Sequence, residues 1–83
     1  MLVTEIQGIL QKVKEYKGKK YIDFAFLGGG FNLPYAGELD PAERIGEEMI
    51  FCVGLTSSQI VLYGRPATVF VPASVEKIKY LIK

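Results

Sequence analysis

The residues best suited to chemistry lie in the stretch "KVKEYKGKKY", residues 12 to 21, which contains five lysines and two tyrosines. Lysine ammonium groups neutralise phosphates, and tyrosine rings offer flat faces on which unpaired bases stack. This combination is typical of a surface that binds single-stranded nucleic acid. A purely structural interpretation is also open, because lysines at a hairpin tip keep a strand edge soluble and tyrosines opposite lysines stabilise the strand pair.

The composition disfavours catalysis and metal binding. The sequence has no histidine, and Cys52 is its single cysteine. The commonest general base and the commonest zinc ligand are therefore missing, so we expect no enzyme activity, no metal site and no other cofactor. Asp23 near Lys12 and Lys14 is the one mixed acid–base group, and a surface ion pair explains it better than catalysis does.

Length and hydropathy predict one domain that associates with a second copy. Eighty-three residues suffice for a single domain, residues 1–83, and 49% of them are hydrophobic. Such a small chain buries little of its surface alone, so a second subunit is expected to cover apolar residues. No apolar run approaches the roughly 18 residues of a membrane span, and "MLVTEIQG" does not resemble a signal peptide. We therefore expect a cytoplasmic protein with no membrane association.

The charges are unevenly distributed along a chain whose net charge is only +1. Residues 1–20 carry five lysines against two glutamates, whereas residues 38–48 carry five carboxylates against Arg44. A folded chain with this distribution can present one positive and one negative face.

The lysine- and tyrosine-rich stretch has the pattern of a β-hairpin. Lys17-Gly18 suits a tight turn in which the central residues take positive φ. In this register two apolar pairs share the inner face: Val13 with Ile22, and Ile9 with Phe26. The outer face then carries the polar residues: Lys12, Lys14, Tyr16, Lys19, Tyr21 and Asp23.

Glycines and prolines mark the irregular positions. The apolar parity of the first strand changes between Ile6 and Val13, which requires a bulge, and Gly8 is its predicted site. The "GGG" at 28–30 predicts a hairpin loop, since the Lys-Ser/Thr of a phosphate-binding loop does not follow it. "FNLPYAG" then has the pattern of a short edge strand, because Pro34 lacks an amide donor.

The segment "DPAERIG" predicts one short helix. Asp40 suits the N-cap, Pro41 the first helical position and Glu43 the capping-box position, and Gly46 ends the helix. The carboxylates of this segment favour a helix start and a soluble surface rather than acid chemistry.

The last third of the chain is apolar and strand-like. "EEMIFCVGL" is a strand, "TSS" turns the chain, and "QIVLY" with "ATVFV" form a hairpin around "GRP" at 64–66. That hairpin is apolar on both faces, so we expect one face to line the core and a second copy, across a two-fold axis, to cover the other. The tail, residues 74–83, fits a helix or a strand, and the strand is favoured, with one face carrying Ile78, Tyr80 and Ile82.

This order of elements predicts an all-β domain with one short helix: a small five-stranded OB-like Greek-key barrel. An SH3-like barrel fits the strand count but misplaces the helix. Gly18, Lys19 and Tyr21 at the first hairpin tip, and the apolar hairpin "IVLYGRPATVFV", resemble the small dimeric single-stranded-DNA-binding proteins of filamentous phages. The resemblance implies an OB fold, a homodimer formed through the hairpin 59–71, and a role in DNA replication.

The sequence therefore predicts non-sequence-specific binding of single-stranded nucleic acid, in the first instance DNA. The alternative is a small dimeric β-barrel that binds protein partners and no nucleic acid. The predicted nucleic-acid-binding residues are Lys12, Lys14, Tyr16, Lys17, Lys19, Lys20, Tyr21, Phe31, Tyr35, Arg65 and Lys79.

Overall fold

A computed structural model describes residues 2–81 as one antiparallel sheet of five strands in the order β3-β2-β1-β4-β5. The elements are β1 (Leu2–Tyr16), β2 (Lys19–Phe26), β3 (Gly29–Pro34), a 3-10 turn (Ala42–Arg44), β4 (Glu48–Leu62) and β5 (Arg65–Tyr80). The all-β class predicted from the sequence is confirmed. None of the helical structure in residues 2–81 is long and apolar enough to cross a membrane.

The two edge strands of the sheet, β3 and β5, meet at a single point. Tyr35, just after β3, forms an isolated parallel bridge with Val75, and the amide of Ala36 donates to the Val75 carbonyl at 2.9 Å. No further ladder joins these edges in the described part of the chain. The structure therefore shows an open five-stranded sheet whose edges touch once, rather than a closed barrel.

The core lies on the inner face of this sheet. Ile22 and Phe24 alternate with polar residues along β2, and the ring of Phe24 stacks on that of Phe51 from β4 with centroids 4.1 Å apart. Such a pair adds about 0.5–1.5 kcal/mol to the free energy of burying the rings. The other buried core residues are Leu10, Leu33, Tyr35, Met49, Val53, Val75 and Ile78.

The bulge of β1 lies at Gln11, so the predicted position at Gly8 is wrong. The pairing with β2 shifts between Leu10 and Lys12, which leaves Gln11 without a partner residue. Consequently Ile9 lies opposite Ala25 instead of Phe26 and is 46% exposed. The extra residue returns the inward parity to Val13 after Leu10.

Gly8 has a different structural role. A Cβ atom built there would lie 2.4 Å from the carbonyl oxygen of Ala25. The close approach of β2 to β1 therefore requires a residue without a side chain. Close approach of another backbone, like a bulge, is a common reason for glycine in a strand.

The predicted helix is reduced to the single 3-10 turn, and the predicted capping box does not form. The Asp40 carboxylate accepts from the amide of Ala42 at 3.0 Å, but Pro41 is the residue that precedes the turn and no side chain caps it. The amide of Gly46 donates to the Leu10 carbonyl at 2.7 Å, so the chain rejoins β1 before a second helical turn begins. Gly46 ends the segment with a φ of 93°.

The long hairpin of β4 and β5 extends beyond the rest of the sheet. β4 runs through "TSS" without a turn, contrary to the prediction. The first residue of β1, Leu2, lies opposite Leu55. Among residues 2–81, residues 56–71, called the arm below, therefore pair only with each other. The turn lies at Tyr63-Gly64 instead of "GRP", and Pro66 and Pro72 lie on the free edge strand β5.

Neither face of the arm lines the core, so that part of the prediction is wrong. Ile60, Val61, Leu62, Phe70 and Val71 are all exposed, and the molecule reaches 47 Å in its longest dimension. The tail is a strand as far as Tyr80, which confirms the favoured alternative for residues 74–80. The predicted position of Ile82 lies outside the described residues.

Candidate nucleic-acid interface

The tip of the first hairpin has the predicted turn. Lys17 has a φ of 51° and Gly18 a φ of 76°, as both central residues of a type I′ turn require. The register between the turn and the bulge is also the predicted one, with Tyr16 opposite Lys19 and Lys14 opposite Tyr21. The polar side chains of both strands therefore share the outer face.

Three rows of side chains cross this outer face, which we call the basic face. The first row pairs Tyr16 with Lys19 at the tip. The other two rows reach β3 as well, because β2 pairs with β3. The second row contains Lys14, Tyr21 and Pro34, and the third contains Lys12, Asp23 and Asn32.

The tyrosines of the basic face differ in exposure. Tyr16 is 63% exposed, and the ammonium of Lys17 lies 5.3 Å from the centroid of its ring, within the range of a cation–π contact. Tyr21 is half-buried between Lys14 and Pro34. The two rings therefore lie in adjacent rows, each with a lysine as its cross-strand neighbour.

Lys20 does not belong to the basic face. It lies opposite Glu15, on the parity of the inner residue Ile22, and its ammonium pairs with the Asp40 carboxylate at 3.5 Å. This contact links the hairpin to the loop after β3 and leaves Lys20 on the side away from Tyr21.

Phe31 and Tyr35 also lie on the inner face, so the structure does not bring them to the proposed stacking surface. The centroid of the Phe31 ring lies 5.9 Å from that of Phe24 and 5.2 Å from that of Phe26. Tyr35 is a core residue whose hydroxyl donates to the Leu39 carbonyl at 2.6 Å. Burial, with smaller contributions from Tyr80 and Asp40, raises the pKa of Tyr35. These contacts suit packing rather than stacking on a ligand.

Arg65 and Lys79 lie away from the basic face. Arg65 is exposed at the tip of the arm, opposite Leu62. Lys79 lies on β5, two strands from β1, where its ammonium is paired with the carboxylate of Glu5. The hydrogen bond and the charge of Lys79 lower the pKa of Glu5, and the same contact raises the pKa of Lys79. Lys79 is therefore partly neutralised.

Asn32 and Pro34 were missed as members of this surface. The alternation in "FNLPY" contains the signal that identifies them, because Phe31, Leu33 and Tyr35 occupy the inward parity. Asn32 and Pro34 must then point outward beside Asp23 and Tyr21. The Asn32 side chain is hydrogen-bonded there: its amide donates to the carboxylate of Asp23.

The remaining surface offers less chemistry. One cleft lies between the loop 35–39 and residues 76–78 of β5, and another lies beside Gly8 and Phe26. Cys52 is buried. Comparison of the chain with protein-family models, curated proteins and solved structures finds no match.

The functional argument therefore rests on the geometry of the basic face. Four lysines, Lys12, Lys14, Lys17 and Lys19, surround two tyrosine rings, with Asp23 as the acidic member of the rows. This arrangement can hold an anionic polymer by charge and contact flat apolar groups between the charges.

Proposed function

We propose that this protein binds single-stranded nucleic acid, in the first instance DNA, on the basic face and without recognising a fixed sequence. The observation that carries the proposal is the pairing of each tyrosine with a lysine across the strands: Tyr16 with Lys19, and Tyr21 with Lys14. Backbone phosphates meet the lysines while successive bases stack on the rings, at about 1–3 kcal/mol per base.

Single strands fit this surface better than a duplex does. Stacking on Tyr16 and Tyr21 requires bases whose faces are free, and a duplex hides those faces. The four lysines of the basic face make no ion pair among the described residues, so their charges are available for phosphates. If each contacts one phosphate, the logarithm of the affinity falls with the logarithm of salt at a slope of about −3.

The proposal includes an OB-type barrel. The strand order and the parallel bridge between Tyr35 and Val75 support it, since that bridge joins the two edge strands at one place. In OB folds the face of strands 2 and 3 binds ligands, and Tyr21, Asp23 and Asn32 lie on those strands here. The likeness to the filamentous-phage proteins, a role in DNA replication and a cytoplasmic location belong to the same proposal.

The arm is proposed as the contact between two copies of the chain. One of its faces is largely aliphatic, with Ile60, Leu62, Ala67, Val69 and Val71, and it also carries Thr56, Ser58 and Arg65. Arg65 is the single charged residue of the arm. In a two-fold arrangement whose axis is perpendicular to the arm, the two Arg65 side chains lie at opposite ends, so the aliphatic faces meet without like charges between them. An exposed apolar surface of this kind is typical of an interface.

The test is fluorescence anisotropy of labelled oligo-dT at low and at moderate salt. We compare wild type with the double variant Tyr16→Ala/Tyr21→Ala and with Tyr63→Ala as the matched control. Tyr63 is 95% exposed as the first central residue of a turn of the same geometry, and it lies outside the basic face. The double variant should bind about 30-fold more weakly or worse, taking about 1 kcal/mol for each stacked base. The control should bind like wild type.

The exposed aliphatic face of the arm favours the second candidate, a dimeric module that binds protein partners. Absence of oligo-dT binding even at low salt, together with self-association through the arm, would support this candidate and refute nucleic-acid binding. Binding that is insensitive to salt would also contradict the proposal, because phosphate contacts release counterions.

A further inference from the structure

An acidic residue in the middle of the basic face requires an explanation. Asp23 lies opposite Lys12 on one side and Asn32 on the other, yet within residues 2–81 its carboxylate pairs with the Asn32 amide and with no lysine. A carboxylate repels phosphates, and an exposed cross-strand pair of this type contributes only about 0.2–1 kcal/mol to stability. Phosphate binding and folding therefore both leave the position of Asp23 unexplained.

The third row presents an ordered set of donors and acceptors. Lys12 supplies an ammonium donor, and the ionised Asp23 carboxylate only accepts. Asn32 donates its amide to Asp23 and keeps its own carbonyl oxygen as an acceptor. Directly opposed residues in an antiparallel sheet are about 4.5–5.5 Å apart, so the donor and the acceptors lie side by side.

Guanine complements this order best among the bases. Its Watson–Crick edge carries the O6 acceptor, then the N1–H and N2–H donors, and a carboxylate can accept from both N–H groups. Adenine and cytosine each offer one amino donor next to a ring acceptor. Thymine offers a single N–H donor between two carbonyl oxygens, both of which repel a carboxylate.

The row is also within reach of a stacked base. Asp23 follows Tyr21 by two residues on the same face of β2, a distance of about 7 Å along the strand. This is about the width of a base. A base stacked on Tyr21 can therefore direct one edge toward the third row, as in single-strand recognition by stacking plus edge contacts.

We propose that Asp23, positioned by Asn32, confers a preference for guanine at the base position on Tyr21. The inference rests on the proposed function. The protein would still bind strands of any sequence, with a preference for one base at a single position. Asp23 accepts from the guanine N1–H and N2–H groups, and Lys12 donates to O6. A pair of this kind discriminates about fivefold or more against a base that lacks a donor.

The test compares three labelled oligonucleotides with wild-type protein: a dT tract, the same tract with isolated dG residues, and the same tract with deoxyinosine at those positions. Deoxyinosine lacks only the N2 amino group, so the dG and deoxyinosine probes have equal charge and similar stacking. We expect the dG probe to bind most tightly, about fivefold better than the dT tract, with the deoxyinosine probe between them.

Two variants identify the residue responsible. Asp23→Asn should remove the preference and improve binding to the dT tract, because a negative charge is lost. Glu15→Gln removes one charge from the same hairpin but from the other parity of β1, so it should improve dT binding and keep the preference.

Equal binding of the three probes by wild type would overturn the preference and leave the proposed function intact. Persistence of the preference in Asp23→Asn would overturn the role of Asp23. Failure of every probe to bind at low salt would overturn the proposed function and the preference with it. The wild-type comparison is informative even if a variant does not fold.

Discussion

Two of the three hairpins in the described residues, β1–β2 and β4–β5, share a turn geometry and differ in almost everything else. Lys17 and Gly18 have φ angles of 51° and 76°, and Tyr63 and Gly64 have 51° and 75°. One hairpin carries lysines and tyrosines on a single exposed face, whereas the other exposes apolar side chains on both faces. The same turn geometry therefore occurs beneath two different surfaces. The turn fixes the strand register but not which side chains the hairpin exposes.

The difference arises from what surrounds each hairpin. The inner face of the first hairpin packs on the core through Ile22 and Phe24, so its apolar side chains are covered. The arm extends past the pair of Leu2, the first residue of β1, with Leu55, and no other strand of the described residues pairs with it. A hairpin that extends beyond its sheet retains two uncovered faces, which is why its apolar residues suit a partner.

The largest predicted effect compares one phenylalanine from each hairpin. Phe24→Ala should lower the free energy of unfolding by about 3–5 kcal/mol, because Phe24 is 1% exposed and stacks on Phe51. Phe70→Ala, at 53% exposure in the arm, should change it by about 0.5 kcal/mol or less at concentrations where the protein is monomeric. Urea titrations at low concentration measure both. Equal losses would mean that the arm folds back onto its own domain.

The next effect tests the aliphatic face of the arm. Val69→Lys places a charge among apolar side chains and should weaken self-association by about 100-fold or more, since an unpaired buried charge is costly. Gln59→Lys adds the same charge on the opposite face of the arm, where Gln59 bonds to Thr68. Sedimentation equilibrium measures both variants. Loss of association in Gln59→Lys alone would assign the interface to the other face.

A smaller loss of stability is expected when the glycine of either turn is replaced, and the two losses should be equal. A Cβ atom at Gly18 or Gly64 meets nothing within 4 Å, so alanine at either position is penalised only by its positive φ. Gly18→Ala and Gly64→Ala should each lower stability by about 1–2 kcal/mol. Thermal unfolding of the two variants side by side measures this. A much larger loss for Gly64→Ala would indicate that the arm tip is packed against a partner.

The smallest effect concerns the exposed pair of Glu5 and Lys79, which lies outside both hairpin tips. The lowered pKa of Glu5 means that the contribution of the pair is lost as pH falls through that pKa, below the ordinary 4.5. The raised pKa of Lys79 means that it is also lost as pH rises above the ordinary 10.5. The stability difference between wild type and Glu5→Gln should be widest near neutral pH and narrow at both extremes in urea titrations. A difference independent of pH would contradict this assignment.

Much of the first hairpin was predictable, because Lys17-Gly18 fixes a register and the alternation of apolar residues then assigns each face. The prediction failed beyond Lys12, where the bulge at Gln11 has no local signal. Gly8 resembles a bulge position, but its absent side chain accommodates the Ala25 carbonyl, a contact between strands that the sequence cannot reveal.

Other errors also have tertiary causes. "DPAERIG" has the local features of a helix, but the hydrogen bond from Gly46 to Leu10 ends it after one turn. "TSS" has the composition of a turn, yet continuous pairing with β5 keeps it extended.

In the candidate site, Lys12, Lys14, Tyr16, Lys19 and Tyr21 lie on the outer face as their parity predicts, whereas Lys20 lies on the other face. Phe31 and Tyr35 were predicted on the binding face and lie on the inner one, although their alternation with Asn32 and Pro34 gives them the same parity as the buried Leu33.

The prolines of β5 have a consequence for how the arm can associate. A strand accepts proline where the missing amide faces away from its partner, so Pro66 and Pro72 remove donors from the free edge. An incoming strand would find an interrupted set of hydrogen-bonding groups there, which hinders stacking of arms into cross-β fibrils. A two-fold contact through one face of the arm would end with two copies, whereas growth along its edges would have no natural end.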